Sequence, residues 1–133
     1  MATTYYVKSS TLLAAPSDSN DGKDVFGFAL SGASWDHSLL RLTKTSAFTS
    51  YTYTAGDRIY ITGGTGVTAG SYLITSKVSS SVLVLFNDIT SAGTDPTDVT
   101  SSNGPWLTPQ KGLDTVPAGD ELRICADATY TPS

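Results

Sequence analysis

The amino-acid sequence predicts a mainly β protein, an antiparallel meander folded as a small β-sandwich or barrel, with one short α-helix near 108–116. Three observations lead there. The phrase Ala-Gly-Asp opens two runs of alternating apolar and polar residues, Ala55-Gly56-Asp57-Arg58-Ile59-Tyr60-Ile61 and Ala118-Gly119-Asp120-Glu121-Leu122-Arg123-Ile124. A Gly-Asp turn launching such a run marks a half-buried strand. The acids are almost all Asp, with Glu121 the only Glu, among abundant Ser, Thr and Gly; Asp competes with helix by bonding nearby backbone, and Thr and Val stiffen the chain toward strand. Only 15% of the residues are charged, against the ~25% usual in soluble domains. With 133 residues the chain is expected to form a single domain over 1–133, carrying an inserted meander lobe around 48–90.

In chain order, Tyr5-Tyr6-Val7-Lys8 is expected as a short strand. Residues 14–24 form a turn-rich loop containing Asp18-Ser19-Asn20-Asp21-Gly22-Lys23-Asp24. Asp18, Asp21 and Asp24 are its candidate calcium ligands. Counted from Asp18, however, the glycine falls one place early for an EF-hand and no Glu closes the loop. Asx turns, in which Asp and Asn bond their own backbone, are the simpler expectation. Residues 25–48 place Val25, Phe26, Phe28, Leu30, Trp35, Leu39, Leu40 and Leu42 irregularly, with one helical turn expected near 35–39.

Three strands of a meander follow at 58–62, 72–78 and 82–86. The first two alternate. Val82-Leu83-Val84-Leu85-Phe86 is apolar on both parities, which calls for a second layer or a neighbouring subunit on its far face. Residues 87–105 are rich in Gly, Pro and Asn and are expected to be flexible or ordered by a partner. Thr108 then reads as an N-cap with Pro109 at the first helical position, Leu113 and Val116 share a face, and Pro117 ends the helix. The last strand spans 121–126, with the lone Cys125 as a small buried hydrophobe.

These features exclude several functions. The net charge is −4 and the eight Lys and Arg are scattered, so no basic stripe is available to neutralise phosphates and direct nucleic-acid binding is not expected. Neither a signal peptide nor an apolar run of ~20 residues is seen, so a soluble protein made in a cytoplasm, without membrane contact, is expected. The single histidine, His37, has Ser34, Asp36 and Ser38 as close sequence neighbours, but adjacent residues do not face one another as a Ser-His-Asp triad requires. Gly63-Gly64-Thr65-Gly66 lacks the Lys-Ser/Thr of a phosphate loop and reads as a turn. No catalytic residue and no cofactor are expected. Tyr51, Tyr53, Tyr60, Tyr72 and Trp106 either stack on sugars or, as is commoner for aromatics in strands, fill the sheet.

Tyr5-Tyr6-Val7, the loop Asp18-Ser19-Asn20-Asp21-Gly22 and the run from Gly104-Pro105-Trp106-Leu107-Thr108-Pro109 through Ala118-Gly119-Asp120-Glu121-Leu122-Arg123-Ile124 to Thr129-Tyr130-Thr131 resemble the opening of right-handed parallel β-helix proteins. In that family such a run forms a capping strand, a turn, a capping helix and the first rung, and its members include polysaccharide-degrading enzymes, phage tailspikes and adhesins. The resemblance covers about a third of the chain. It departs from the pattern in the insertion of 24–103 and in stopping where further coils are expected. The inserted meander is similar to small β modules of tailed-phage structural proteins.

The two resemblances imply a virion component of a tailed phage. The expected role is a capsid decoration or cement protein that clamps major capsid subunits, with a homotrimer expected by analogy with capsid three-fold sites. Tyr5, Tyr6 and Trp106 are the interaction candidates. The alternative is a glycan- or receptor-binding module at the base of a tail fibre, head fibre or tailspike.

Overall fold

In the computed structural model the described residues are 3–7, 17, 19–24, 26–106, 111 and 114–124. The chain divides into two compact units, Phe28–Ser101 and the pair of flanking segments Met1–Gly27 with Ser102–Ser133.

The alternating runs of the central unit become an antiparallel, curled six-stranded sheet. Its strands are β2 (Ser34–Asp36), β3 (Arg41–Thr43), β4 (Arg58–Gly63), β5 (Gly70–Ser79), β6 (Val82–Leu85) and β7 (Thr100–Ser101). Their spatial order is β2-β3-β6-β5-β4-β7, with β4, β5 and β6 forming the expected meander. The curl brings the two edges together. Ala33 and Val99 exchange both backbone bonds at 3.0 Å, Trp35 N–H donates to Pro96 C=O at 2.9 Å, and Ser101 N–H donates to Leu30 C=O at 3.1 Å. Edge pairing of this kind satisfies the N–H and C=O groups that an open sheet leaves exposed.

Period-two alternation sends Ile59 and Ile61 of β4, Ile74 of β5 and Leu83 and Leu85 of β6 inward, each at most 1% exposed. Full burial of each such side chain contributes about 1.5–3 kcal/mol. Phe28 meets Phe48 and Tyr51 edge-on, with centroids 5.8 and 5.2 Å apart. Two register shifts in β5, between Ile74 and Ser76 and between Lys77 and Ser79, add the bend that lets a ten-residue strand follow the curl. Lys77 then lies opposite Leu83, and its ammonium donates to Tyr51 C=O at 2.6 Å.

Three expectations are corrected here. The outward parity of β6 is only partly covered: Val82 and Val84 are half-buried and Phe86, just beyond the strand, is 62% exposed. Of the stretch 87–105, residues 87–101 are knitted into the central unit rather than loose, because Ile89 and Val99 are fully buried, Thr68 N–H donates to Ile89 C=O at 2.8 Å, and β7 pairs with β4. The helical turn expected near 35–39 is instead the end of β2 and a non-helical turn, since Asp36 caps Ser38 and Leu39.

In the other unit, β1 (Thr4–Val7) pairs with β8 (Glu121–Ile124) in parallel, Thr4 opposite Glu121 through Val7 opposite Ile124. The far side of β1 is also occupied, since Tyr6 N–H donates to Gly22 C=O and Trp106 N–H to Tyr6 C=O, at 2.6 and 2.9 Å. Of the helix expected over 108–116, the described residues Lys111, Asp114 and Thr115 are helical. Thr108, Pro109, Leu113 and Cys125 lie outside the described residues.

The repeated Ala-Gly-Asp phrase makes the same turn twice. Gly56 and Gly119 adopt φ of 96° and 92°, and the following Asp57 and Asp120 donate N–H to Thr54 C=O and Pro117 C=O at 3.0 and 3.1 Å. Glycine is required there by backbone angle alone, since a Cβ at either position meets nothing within 4 Å. The two carboxylates then diverge. Asp57 accepts from Tyr51 Oη and Thr54 N–H, whereas Asp120 reaches Thr3 N–H at 2.9 Å and ties the entry of β1 to that of β8.

Candidate functional site

The densest polar constellation of the central unit lies where β2 turns into β3 beside the segment 88–95. Asp36 Oδ1 accepts from Ser38 N–H, Ser38 Oγ and Leu39 N–H at 2.9, 2.7 and 3.1 Å. These bonds, the Ser38 hydroxyl foremost, hold the Asp36 carboxyl below its ordinary range. Asp95 Oδ1 accepts the His37 N–H at 2.9 Å and lies 2.8 Å from His37 Nδ1. That pairing raises the imidazole above its ordinary value and lowers the carboxyl. Gly93, at φ 65°, brings the loop against the ring, where a Cβ would sit 3.4 Å from His37 Cδ2.

Asp88 Oδ1 accepts from Trp35 Nε1, Thr90 N–H and Thr90 Oγ1 at 2.9, 2.9 and 2.8 Å. Burial pushes this carboxyl up, but the three bonds outweigh it and its value falls below the usual one. The corner therefore gathers Asp36, Asp88 and Asp95 around one imidazole, each carboxylate held by fixed donors. Ser38, the hydroxyl next to His37, is turned to Asp36 rather than to the ring. The arrangement presents fixed negative charge and gives no activated nucleophile.

An apolar row starts at this corner. The β3–β6 register sets Arg41 opposite Val84, and beyond it Leu85 N–H donates to Leu40 C=O at 2.9 Å. Phe86 N–H donates to Leu73 C=O, and Leu73 lies opposite Arg58. Leu39 is 55% and Phe86 62% exposed, and Leu73 is half-buried. Arg58, exposed at the far end, is steered by bonds from Nε to Ser71 Oγ and from Nη2 to Ser71 C=O, at 2.8 and 2.9 Å.

In the other unit, two of the interaction candidates contact each other. Tyr5 and Trp106 stack with centroids 5.1 Å apart and planes within 5°. Trp106 is 2% exposed, its Nε1 donates to Asn20 C=O at 2.6 Å, and Gly22 lies so close to the ring that a Cβ there would approach to 2.6 Å. Trp106 is thus a packing residue and not an outward platform, because both faces of the indole are occupied. Tyr5 and Tyr6 are half-buried on β1. Of the sugar-stacking set, Tyr51 is 1% exposed, and burial followed by its bond to Asp57 raises its hydroxyl; Tyr53, Tyr60 and Tyr72 are half-buried.

Of the candidate calcium ligands, Asp21 and Asp24 each serve protein donors. Asp21 Oδ1 accepts from Lys23 N–H and Ser102 Oγ, and the buried Asp24 caps Phe26 N–H at 3.1 Å. Asp18 lies outside the described residues. Among the described residues no group of three or more His, Cys, Asp or Glu is placed to hold a metal ion, no helix is long and apolar enough to cross a membrane, and no buried polar side-chain atom lacks a hydrogen-bond partner.

The acidic corner escapes sequence reasoning because Asp88 and Asp95 lie more than fifty residues from Asp36. The exposed Phe86 had a local signal. It closes an apolar run immediately before Asn87-Asp88, where a strand leaves the sheet. No family model, no curated protein and no solved structure matches the chain.

Proposed function

We propose that the chain is a non-enzymatic virion structural protein of a tailed phage, a decoration or cement protein that stabilises contacts between major capsid subunits. One observation carries the reading. The inside of the curled sheet is filled by side chains no more than a few per cent exposed, while the large apolar side chains left in water, Leu39, Phe86 and Val78, lie on its outside. In a small β-barrel-like unit the inward side chains fill the interior. What it offers is surface, and apolar groups within a polar surround mark docking sites. The fixed bonds of Asp36, Asp88 and Asp95 fit the same role, since they hold charge in place without poising it for proton transfer. In this reading the protein needs no cofactor, resides in the virion, self-associates, and contacts neither nucleic acid nor membrane.

The parallel pairing of β1 with β8 favours a second reading, a module at the base of a fibre or tailspike that binds a glycan or receptor. Parallel neighbours joined by a long excursion are what a first β-helix rung requires. Mixing the purified chain with phage capsids that lack it separates the two. Saturable binding at a fixed ratio to the major capsid protein, with a raised capsid melting temperature, is the expected result. Failure to bind capsids together with saturable glycan affinity would refute the decoration role.

A further inference from the structure

Asn103-Gly104 is the only Asn-Gly pair in the sequence; the other asparagines, Asn20 and Asn87, each precede Asp. Such a pair carries its own reactants, the side-chain amide as electrophile and the next backbone N–H as nucleophile, and glycine has no Cβ to hinder their approach. In the flanking unit both reactants have partners suited to their roles. Asp21 N–H donates to Asn103 Oδ1 at 2.9 Å. Gly104 N–H donates to Ser102 Oγ at 3.2 Å, and Ser102 Oγ donates in turn to Asp21 Oδ1 at 2.5 Å. Ser102 is fully buried, whereas Asn103 is exposed to water.

The geometry points to a self-modifying site, in which the Asn103 side chain cyclises onto the Gly104 nitrogen and is converted to aspartate and isoaspartate, with Ser102 and Asp21 promoting the step. As the Gly104 nitrogen attacks Asn103 Cγ, its proton passes to Ser102 Oγ while the Ser102 proton passes to the Asp21 carboxylate. Negative charge develops on Asn103 Oδ1, at which Asp21 N–H already points. The Cγ–Nδ2 bond then breaks. The proton taken up by Asp21 is returned to the departing nitrogen, which leaves as ammonia. Water, which reaches the exposed Asn103, opens the cyclic imide at either carbonyl and gives aspartate or isoaspartate at position 103.

The fold keeps the reactive glycine in place. Gly104 adopts φ of 121°, and a Cβ there would lie 3.2 Å from Gly27 Cα and 3.3 Å from Asn20 Nδ2, so a residue that hinders the attack does not fit. The product has a structural consequence. Gly22 N–H donates to Gly104 C=O at 3.0 Å, and Ser17 N–H and Asn20 Nδ2 donate to Pro105 C=O at 3.3 and 3.1 Å. Isoaspartate inserts an extra backbone carbon just before these acceptors and shifts them from their donors. Asn20 C=O in turn accepts from Trp106 Nε1, so the change loosens the packing of the buried indole. Modification is thus an ageing step that weakens the flanking unit, and the inference does not depend on the virion reading.

Incubating the full chain near neutral pH, folded and in urea, tests it, with each asparagine followed by peptide mapping in a mass spectrometer and isoaspartate by enzymatic methylation. Asn103 should convert before Asn20 and Asn87, and about tenfold or more faster in the folded chain than in urea. Ser102→Ala cuts the relay and should slow the folded chain by about tenfold or more. Asp21→Ala keeps the N–H donor but removes the proton acceptor; it should slow the step similarly and steepen its rise with pH, because hydroxide then takes the place of the carboxylate. Aged wild-type protein should melt lower than fresh protein, and Asn103→Gln should hold its melting temperature over the same period. No conversion of Asn103 in the folded chain, conversion no faster than in urea, or a rate unmoved in a folded Ser102→Ala or Asp21→Ala variant overturns the proposal. The comparison with urea needs no variant, so it decides even if a substitution impairs folding.

Discussion

Replacing Asp57 by Ala is expected to destabilise the central unit by about 2–4 kcal/mol, and the structure supplies each part of that figure. Asp57 Oδ2 accepts from Tyr51 Oη at 2.6 Å and from Thr54 N–H at 3.0 Å. Tyr51 is 1% exposed, and leaving its hydroxyl buried without an acceptor costs about 1–3 kcal/mol. Thr54 is exposed, so water replaces the second bond and its loss is nearer to about 1 kcal/mol. Tyr51→Phe removes the hydroxyl together with its need for a partner and should cost about 1 kcal/mol. In the double variant the orphan is gone. The two single costs should therefore exceed the double cost by about 1–2 kcal/mol. Urea unfolding of the four proteins, followed by tryptophan fluorescence and far-UV circular dichroism, measures the cycle. An Asp57→Ala cost below about 0.5 kcal/mol, or additive singles, would refute the assignment of Asp57 as the acceptor that makes a buried tyrosine tolerable.

Three further outcomes follow. Gly22→Ala should cost more than about 3 kcal/mol, because its Cβ would lie 2.6 Å from a Trp106 ring already held by Tyr5 and Asn20, whereas Gly56→Ala, strained only by φ of 96°, should cost about 1 kcal/mol; urea midpoints compare them. His37, raised above 6.5, stabilises fully below 6.5 and loses that contribution as pH rises through its folded value, while Asp95, lowered below 3.8, contributes above 3.8 and loses it as pH falls through its folded value. The melting temperature of the wild-type chain relative to His37→Ala should thus be highest between pH 3.8 and 6.5, and parallel profiles would contradict the pairing. Calcium should leave the melting temperature unchanged, because Asp21 and Asp24 already serve protein donors; a saturable rise would return the 14–24 loop to a cation site.

The meander was legible because Arg58-Ile59-Tyr60-Ile61 carries both its turn and its alternation within a few residues, and burial follows that alternation without exception at Ile59 and Ile61. The mainly β class follows from the same local chemistry. What escaped depends on contacts distant in sequence. Ile89 and Val99 look like stray apolar residues in a Gly- and Pro-rich stretch until the closing of the sheet buries them. Trp106 has no local partner to reveal that Tyr5 covers it from a hundred residues away. β6 reads as covered on both sides because valine and leucine do not distinguish a buried position from a half-exposed one. The acidic corner was invisible for the same reason as the core closure, since a turn and a loop had to be brought together to make it.

The most direct test of the proposed role is the number of copies of this chain per major capsid protein in purified particles from its source, measured by quantitative mass spectrometry. A fixed, lattice-scale ratio, one copy per capsid subunit or a simple fraction of it, is the predicted result. A few copies per particle would move the chain to a tail or fibre base, and its absence from particles would contradict a virion role altogether.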